Sequence, residues 1–220
     1  MRGFFMKNQN WDVFINCPFD SHYVGLLHAI TFTVCYLGFV PRSALETKDS
    51  GQVRLMKIVQ IIKDSRLSIH DISRVEPVDP ATSILPRFNM PFECGLFFGA
   101  KNFAPKRMRE EKCALILDSE PYRYQKTMSD INGNDIESHD NNPEKAIEKV
   151  RHFLSGNVPD KDRAPLPGEG HVISEYKAFL NDLPGIVGQL KISEDEIRQL
   201  EKWKEFVYVV DYWATRRAKA

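Results

Sequence analysis

Two acidic residues, Asp71 and Glu93, are the best candidates for chemistry in this sequence. Glu93 lies in the otherwise apolar run from Arg87 to Ala100 and follows closely on Pro91, a residue typical of the first turn of a helix. A helix dipole stabilises a carboxylate near its positive end, so a capping role is the alternative to a catalytic one. Asp71 lies near the end of the segment from Leu67 to Ser73, which is predicted as a strand.

A pair of carboxylates suits the cleavage of the N-glycosidic bond of a nucleoside or nucleotide. The transition state of that reaction is oxocarbenium-like, with positive charge on the ribose. One carboxylate about 4 Å away would stabilise that charge by about 4 kcal/mol at an effective dielectric constant of about 20, or would bond covalently to the sugar. The second acid would hold ribose hydroxyls, aromatic rings would stack on the base, and arginines would bind phosphates.

The sequence lacks other common catalytic signatures. It contains no glycine-rich dinucleotide fingerprint, no phosphate-binding loop with its lysine, and no serine nucleophile elbow. The cysteines Cys17, Cys35, Cys94 and Cys113 are far apart and form no Cys-x-x-Cys pair, so we predict buried free thiols rather than a metal site. We therefore predict no metal and no resident cofactor.

The order of the predicted elements indicates where the two acids lie. Apolar runs predicted as strands alternate with segments of helical periodicity four or five times from Trp11 onward, an order typical of a parallel sheet with helices on both faces. We therefore predict an α/β fold with a flavodoxin-like, doubly wound parallel sheet of four or five strands. Ligands of such sheets bind beyond the carboxyl ends of the strands, so both acids should lie at that edge.

The segments at the ends of the predicted strands supply the candidates for substrate binding. One segment follows the first strand, Arg42 lies in the second strand, and Arg74 follows the third. The residues just before the Glu93 helix complete the edge. The predicted binding set is Asn16, Cys17, Pro18, Phe19, Asp20, Arg42, Arg74, Asn89 and Met90.

Four further polar residues near this edge have two interpretations each. Arg54 and Lys57 would line a phosphate pocket or form ordinary surface ion pairs. His70 is predicted as a buried strand histidine, with a role in the site as the alternative. His139 lies at the expected end of a fifth strand, where it is a further candidate for the same edge.

Three segments resemble, in order and spacing, motifs of the nucleoside 2-deoxyribosyltransferase-like family and of related TIR-type domains. The segments read VFINCPFD at residues 13–20, SIHD at 68–71 and MPFECG at 90–95, within a similarity over roughly residues 11–155. The resemblance implies that Glu93 is the catalytic residue, that Asp71 is the ribose-side acid, and that residues 16–20 bind the base. The lead-in to Glu93 differs from that of the transferases, so the resemblance leaves the substrate open.

The resemblance and the acid pair together lead to three functional hypotheses. The first is a hydrolase that cleaves the N-glycosidic bond of a nucleotide, with NAD as the first candidate; bacterial relatives of this kind act as effectors in antiviral defence. The second is a non-catalytic nucleotide sensor or scaffold that uses the same pocket. The third is a true nucleoside 2-deoxyribosyltransferase, which exchanges bases between deoxynucleosides.

Composition limits the partners and the location. Basic and acidic residues number 30 each, for a net charge of zero, which argues against general binding to nucleic acid or to a membrane surface. No apolar run approaches the ~20 residues of a membrane span, and the first residues lack the apolar core of a signal peptide. We therefore predict a cytoplasmic protein.

The chain is predicted to have two parts. An α/β domain covers residues 1–156, a linker rich in Pro, Gly and charged residues covers 157–170, and a helical extension covers 171–220. The extension is predicted as a helix broken at Pro184, followed by one long helix from Glu194 to Arg217. The apolar stripe of the long helix would contact the preceding helix, a second copy of the chain or an activating protein.

Overall fold

The computed structural model describes residues 11–74, 88–105, 112–158 and 165–218. Four segments lie outside these ranges: the first ten residues, residues 75–87, the basic segment 106–111 and the middle of the predicted linker. The sequence predicts a Pro-rich loop over 74–89, and most of that prediction therefore falls outside the described residues.

A five-stranded sheet with all strands parallel forms the centre of the fold, in the spatial order β2-β1-β3-β4-β5. This order is that of a flavodoxin-like sheet and confirms the predicted fold class. Strands β1, β3 and β4 are buried on both faces, as expected for parallel strands. The strands are β1 (Asp12–Asn16), β2 (Val40–Arg42), β3 (Leu67–Asp71), β4 (Cys113–Asp118) and β5 (Glu137–Ser138).

Seven α-helices are described. The sequence also predicts a short helix from Tyr122 to Ile131, but this segment instead forms two short 3-10 turns, Arg123–Lys126 and Ser129–Ile131. The helices are α1 (Val24–Tyr36), α2 (Arg54–Asp64), α3 (Asn89–Phe103), α4 (Pro143–Gly156), α5 (Glu169–Leu190), α6 (Glu194–Ile197) and α7 (Trp203–Arg217).

The two faces of the sheet are covered differently. Val13 and Ile15 of β1 face a large core shared with α1 and α4, whereas Phe14 faces a smaller cluster with α2 and α3. Helices α5 and α7 pack outside α1 and α4 and add a further layer on that side. The large core continues from the sheet through α1 to Phe179 of α5 and Trp213 of α7.

Helix α1 lies between the sheet and this outer layer, and it is the most deeply buried of the described helices. Its residues from Leu26 to Cys35 are all buried, because the sequence is apolar on every side of the helix rather than on one stripe. The ring of Phe32 lies 5.2 Å from that of Phe179 and 5.8 Å from that of Trp213. The Trp203 indole donates to the Thr31 hydroxyl at 3.0 Å.

The predicted break at Pro184 is wrong, because α5 continues through that residue to Leu190. A proline inside a helix costs about 3 kcal/mol. Leu183, Ile186 and Val187 are buried against the large core, and this packing holds the helix on both sides of the proline.

The predicted single helix from Glu194 to Arg217 is also wrong. The sequence predicts a capping box of Ser193 and Glu196, and this box starts α6, but α6 ends at Ile197 and α7 starts at Trp203 after a 3-10 turn. Tyr208, which the sequence predicts to widen the apolar stripe, lies on another side of α7 and is 56% exposed. The buried stripe of α7 is Trp203, Phe206, Val209, Val210 and Trp213.

The sequence predicts that Leu55, Ile58, Val59 and Ile62 of α2 face inward, and this prediction is half right. Ile58 and Ile62 are buried together with Ile61, but Leu55 and Val59 are 41% and 39% exposed. Both faces have helical spacing, and the contact with Phe14 and α3 selects the isoleucine face.

Candidate active site

The candidate site lies at the carboxyl ends of β1 and β3. These strands pair in register, with Asn16 opposite His70. Because β2 flanks β1 on one side and β3 flanks it on the other, the connections after β1 and β3 leave this edge in opposite directions. Sheets of this topology bind ligands at such a switch point.

The Asn16 side chain joins three elements at this edge. Its amide nitrogen donates to His70 Nδ1 and to the backbone carbonyl of Met90, each at 3.0 Å. Both amide hydrogens of Asn16 are thereby used, which fixes the start of α3 against the sheet. Burial lowers the pKa of His70 to about 3, so its ring is neutral.

Glu93 projects from the second turn of α3 and is only 6% exposed. Helix α3 starts at Asn89, earlier than predicted, and has no acidic residue in its first turn. A capping role for Glu93, the alternative considered from the sequence, is therefore wrong.

The Glu93 carboxylate is unpaired within the described part of the chain, where no hydrogen bond or ion pair to it is found. Burial raises the pKa of Glu93 to about 7, and the positive charge of Arg54 opposes this shift. A buried carboxylate without hydrogen-bond donors is costly to ionise. Such a group is typical of a functional site rather than of a structural one.

Asp71 lies at the same edge but in a closed polar cluster. Its side chain is 0% exposed and faces α1 and α4. One oxygen, Oδ2, accepts from the Tyr23 hydroxyl at 2.5 Å and from His139 Nε2 at 2.9 Å, and the other, Oδ1, accepts from the Ser73 backbone N–H at 2.8 Å. The backbone N–H of Asn141 donates to His139 Nδ1 at 3.0 Å, so the proton directed at Asp71 is on Nε2.

This cluster keeps Asp71 ionised. Burial alone would raise the pKa of Asp71, but the hydrogen bonds from His139, Ser73 and Tyr23 outweigh burial, and the net shift is downward. Burial and the nearby Asp71 charge raise the pKa of Tyr23 well above its ordinary value, so its hydroxyl remains a donor. Direct contact between Asp71 and a ribose would require this cluster to open.

The Cys17 thiol is buried and lies within electrostatic range of both acids. Burial first, and then the charges of Asp71 and Glu93, raise the pKa of Cys17 well above its ordinary value. The thiol therefore stays protonated near neutral pH, which argues against a nucleophilic role.

Two of the predicted arginines are paired with acids. Arg42 donates to both oxygens of Glu46 at 2.9 Å and to Asp12. Arg74 lies 3.3 Å from Asp20. Asp20 also accepts from the His22 and Tyr23 backbone N–H groups at 3.1 and 3.0 Å, so it closes the turn before α1 rather than facing a ligand freely.

The remaining predicted residues are divided between the surface and the interior. Pro18 is buried, and Met90 is 7% exposed, with its carbonyl used by Asn16. Asn89 is exposed at the start of α3. Phe19 is half-buried, and the guanidinium carbon of Arg54 lies 5.5 Å from the centre of its ring.

Sequence reasoning did not find the joint role of Tyr23 and His139. The sequence predicts His139 as a candidate for this edge and Tyr23 as one of its aromatic residues, but their common partner, Asp71, is 68 and 48 residues away along the chain. The predicted parallel sheet was the available signal. It places the residues after β5 and those before α1 at the same edge as the end of β3.

A groove of about 680 Å³ lies elsewhere, between α5 and α7, and is lined in part by Trp213, Arg216 and Arg217. Arg217 is paired with Glu175, and the Trp213 indole donates to Asp182 at 2.8 Å. These groups satisfy one another, so the groove offers no unpaired acid comparable with Glu93.

Comparison of the chain with models of known protein families, with curated proteins and with solved structures finds no match. In the part of the chain that the structure describes, no helix has the length and apolarity needed to cross a membrane. Within the same residues, no three His, Cys, Asp or Glu side chains cluster as metal ligands would.

Proposed function

We propose that this protein is a hydrolase that cleaves the N-glycosidic bond of a nucleotide, with NAD as the first candidate substrate. The observation that carries the proposal is the Glu93 carboxylate, which is buried, unpaired within the described residues, and placed at the switch point of the sheet. Its pKa, raised to about 7 by burial, leaves it ready to ionise at neutral pH.

Glu93 acts in its ionised form. As the C1′–N bond breaks, its electron pair goes to the ring nitrogen of the leaving base, and positive charge develops on the ribose. The carboxylate stabilises that charge or bonds to C1′. Water then supplies the oxygen that ends on C1′, and its proton is released to solvent.

The single unpaired acid favours a substrate whose base can leave without being protonated. An ordinary purine or pyrimidine needs a proton from an acid as it leaves, whereas the pyridinium ring of NAD leaves as neutral nicotinamide. Among the described acids at the strand ends, Asp20, Asp71 and Asp118 are held by ion pairs or hydrogen bonds. Glu93 alone remains for the reaction, and NAD requires only that group.

Asp71 serves this site as a positioning residue. Its contacts with Tyr23, His139 and the Ser73 backbone fix the ends of three elements around the pocket. Its ionised side chain also makes a second negative charge near the developing oxocarbenium ion without touching the sugar. The contribution of that charge falls with distance and is smaller than that of Glu93.

The test is product analysis of the parent protein and of Glu93→Gln, each incubated with a panel of nucleosides, nucleotides and NAD. We expect the parent to release the free base from a nucleotide, and Glu93→Gln to bind that nucleotide but to react about 10³-fold more slowly, since ~4 kcal/mol corresponds to about that factor. Glu201→Gln, which changes an exposed acid in the helical layer, is the matched control and should keep the parental rate.

Equal rates for Glu93→Gln and the parent would refute the assignment of Glu93. The full burial of Asp71 favours one alternative, a non-catalytic nucleotide sensor, because that site would need no second acid. A sensor would bind a nucleotide tightly and release no product on long incubation. Base exchange would instead give product only when an acceptor base is added.

A further inference from the structure

The basic side chains around the candidate site differ in one respect, which is whether they already have a partner. Arg42 and Arg74 are paired with acids, as described above. Arg123 binds Asp118 and donates to the Ser73 carbonyl at 2.5 Å. Lys57 donates to the backbone carbonyls of Ala44 and Thr47 at 2.7 and 2.6 Å.

Arg54 differs from these four, because it has no such partner within the described residues. It is the first residue of α2, its side chain is exposed, and no described carboxylate lies within ion-pair distance of it. The first turn of α2 contains no acidic residue that would pair with it. A cation without a counter-ion beside a candidate site is available to an anionic ligand.

Arg54 lies beside the candidate site, although its side chain is exposed. Its guanidinium lies over the ring of Phe19, 5.5 Å from the ring centre. Phe19 belongs to the loop after β1 and packs against the cluster between α2 and α3. Arg54 is also close enough to Glu93 for its charge to act on that carboxylate.

We propose that Arg54 binds a phosphate group of the substrate and thereby selects nucleotides over unphosphorylated nucleosides. This inference rests on the proposed function, which places the sugar at Glu93. The planar guanidinium carries several N–H groups in one fork, the geometry that suits the oxygens of a phosphate. Its contact with the Phe19 ring keeps the Arg54 side chain beside the site and lowers the entropy lost on binding.

The experiment measures binding by calorimetry in the Glu93→Gln background, which prevents turnover. The probes are adenosine 5′-monophosphate and NAD, with adenosine as the uncharged reference. Arg54→Gln should weaken binding of both phosphorylated probes by about 10- to 100-fold, as expected for a charge-assisted hydrogen bond, and should change adenosine binding less than about twofold. Arg54→Lys, which keeps the charge but loses the planar fork, should weaken them less.

Lys63→Gln is the matched control, because Lys63 is an exposed cation at the opposite end of the same helix. It should leave the binding of all three probes unchanged. A second readout is salt: raising ionic strength should weaken binding of the phosphorylated probes to the protein that has Arg54 more than to Arg54→Gln.

Equal loss of adenosine and its monophosphate in Arg54→Gln, or no loss of either, would overturn the assignment of Arg54 and leave the role of Glu93 standing. Phosphate-dependent binding through Arg54 without cleavage by the parent protein would support Arg54 and overturn the proposed hydrolase. Failure of the Glu93→Gln protein to bind any of the three probes would overturn both.

Discussion

Asp71 and Glu93 lie at the same edge of the sheet but face different surroundings. Asp71 faces α1 and α4, where Tyr23, His139 and the Ser73 backbone supply three hydrogen bonds. Glu93 comes from α3 on the other face, where the described residues supply none. Both carboxylates are buried, so the presence of donors, and not burial, separates a structural acid from a reactive one.

The presence or absence of hydrogen-bond donors also shifts the pKa values of the two acids in opposite directions. Hydrogen bonds hold the pKa of Asp71 below its ordinary value despite burial, whereas burial raises the pKa of Glu93 to about 7. The first acid stabilises the fold in its charged form, and the second destabilises it. Replacing each acid by its amide should therefore change the free energy of unfolding in opposite directions.

The largest effect is expected for Asp71→Asn, which should lower the free energy of unfolding by about 2–4 kcal/mol. The substitution leaves the buried Tyr23 hydroxyl and His139 Nε2–H without a charged acceptor. Urea unfolding at neutral pH measures the loss. Asp140→Asn, which changes an exposed acid next to His139, should have a small effect, and an Asp71→Asn midpoint equal to that of the parent would contradict the structural role of the cluster.

A smaller effect of opposite sign is expected for Glu93→Gln, which should raise the free energy of unfolding by about 1–3 kcal/mol at pH 8. The folded-state pKa of about 7 lies above the ordinary value of 4.5, so the parent loses stability as pH rises through this window. Below pH 4.5 the two proteins should unfold alike.

The difference between variant and parent is the informative quantity in that experiment. Burial lowers the pKa of His28 to about 4 and of His70 to about 3 from an ordinary 6.5, so their contribution to stability rises with pH over an overlapping window. Subtraction removes both histidine contributions. A difference that does not grow between pH 5 and 8 would show that Glu93 has an ordinary pKa.

The smallest effect concerns turnover. If Glu93 acts as the ionised carboxylate, kcat for the nucleotide should rise about 10-fold from pH 6 to pH 8 with a midpoint near 7, a change of ~1.4 kcal/mol in the activation barrier. Initial rates at saturating nucleotide across this range give the profile. A rate that falls with rising pH would assign Glu93 as a general acid instead.

The sheet was predictable because each strand has a local signature. The runs at Val13 to Ile15 and Leu115 to Leu117 are apolar and short, and helical patterns separate them, so their order alone predicts a parallel sheet. The position of Glu93 beside that edge followed from the same order. Its lack of partners did not, since partners are a property of the folded neighbourhood.

The parts that sequence reasoning missed depend on distant contacts. The burial of Asp71 requires Tyr23 and His139, which no local pattern relates to it. On α2, the face with Leu55 and Val59 has the same helical spacing as the isoleucine face that is buried. In the C-terminal helices, the 3-10 turn Leu200–Lys202 divides the single predicted helix into α6 and α7, and no breaking residue in the sequence signals that turn.

The burial of α1 from Leu26 to Cys35 has a consequence for how this chain can be divided. A helix with one apolar stripe tolerates loss of whatever lies against its polar side, but α1 has no polar side. Residues 165–218 therefore insulate the interior of the sheet half from water. A chimeric protein that contains the candidate site would therefore also have to contain these C-terminal helices.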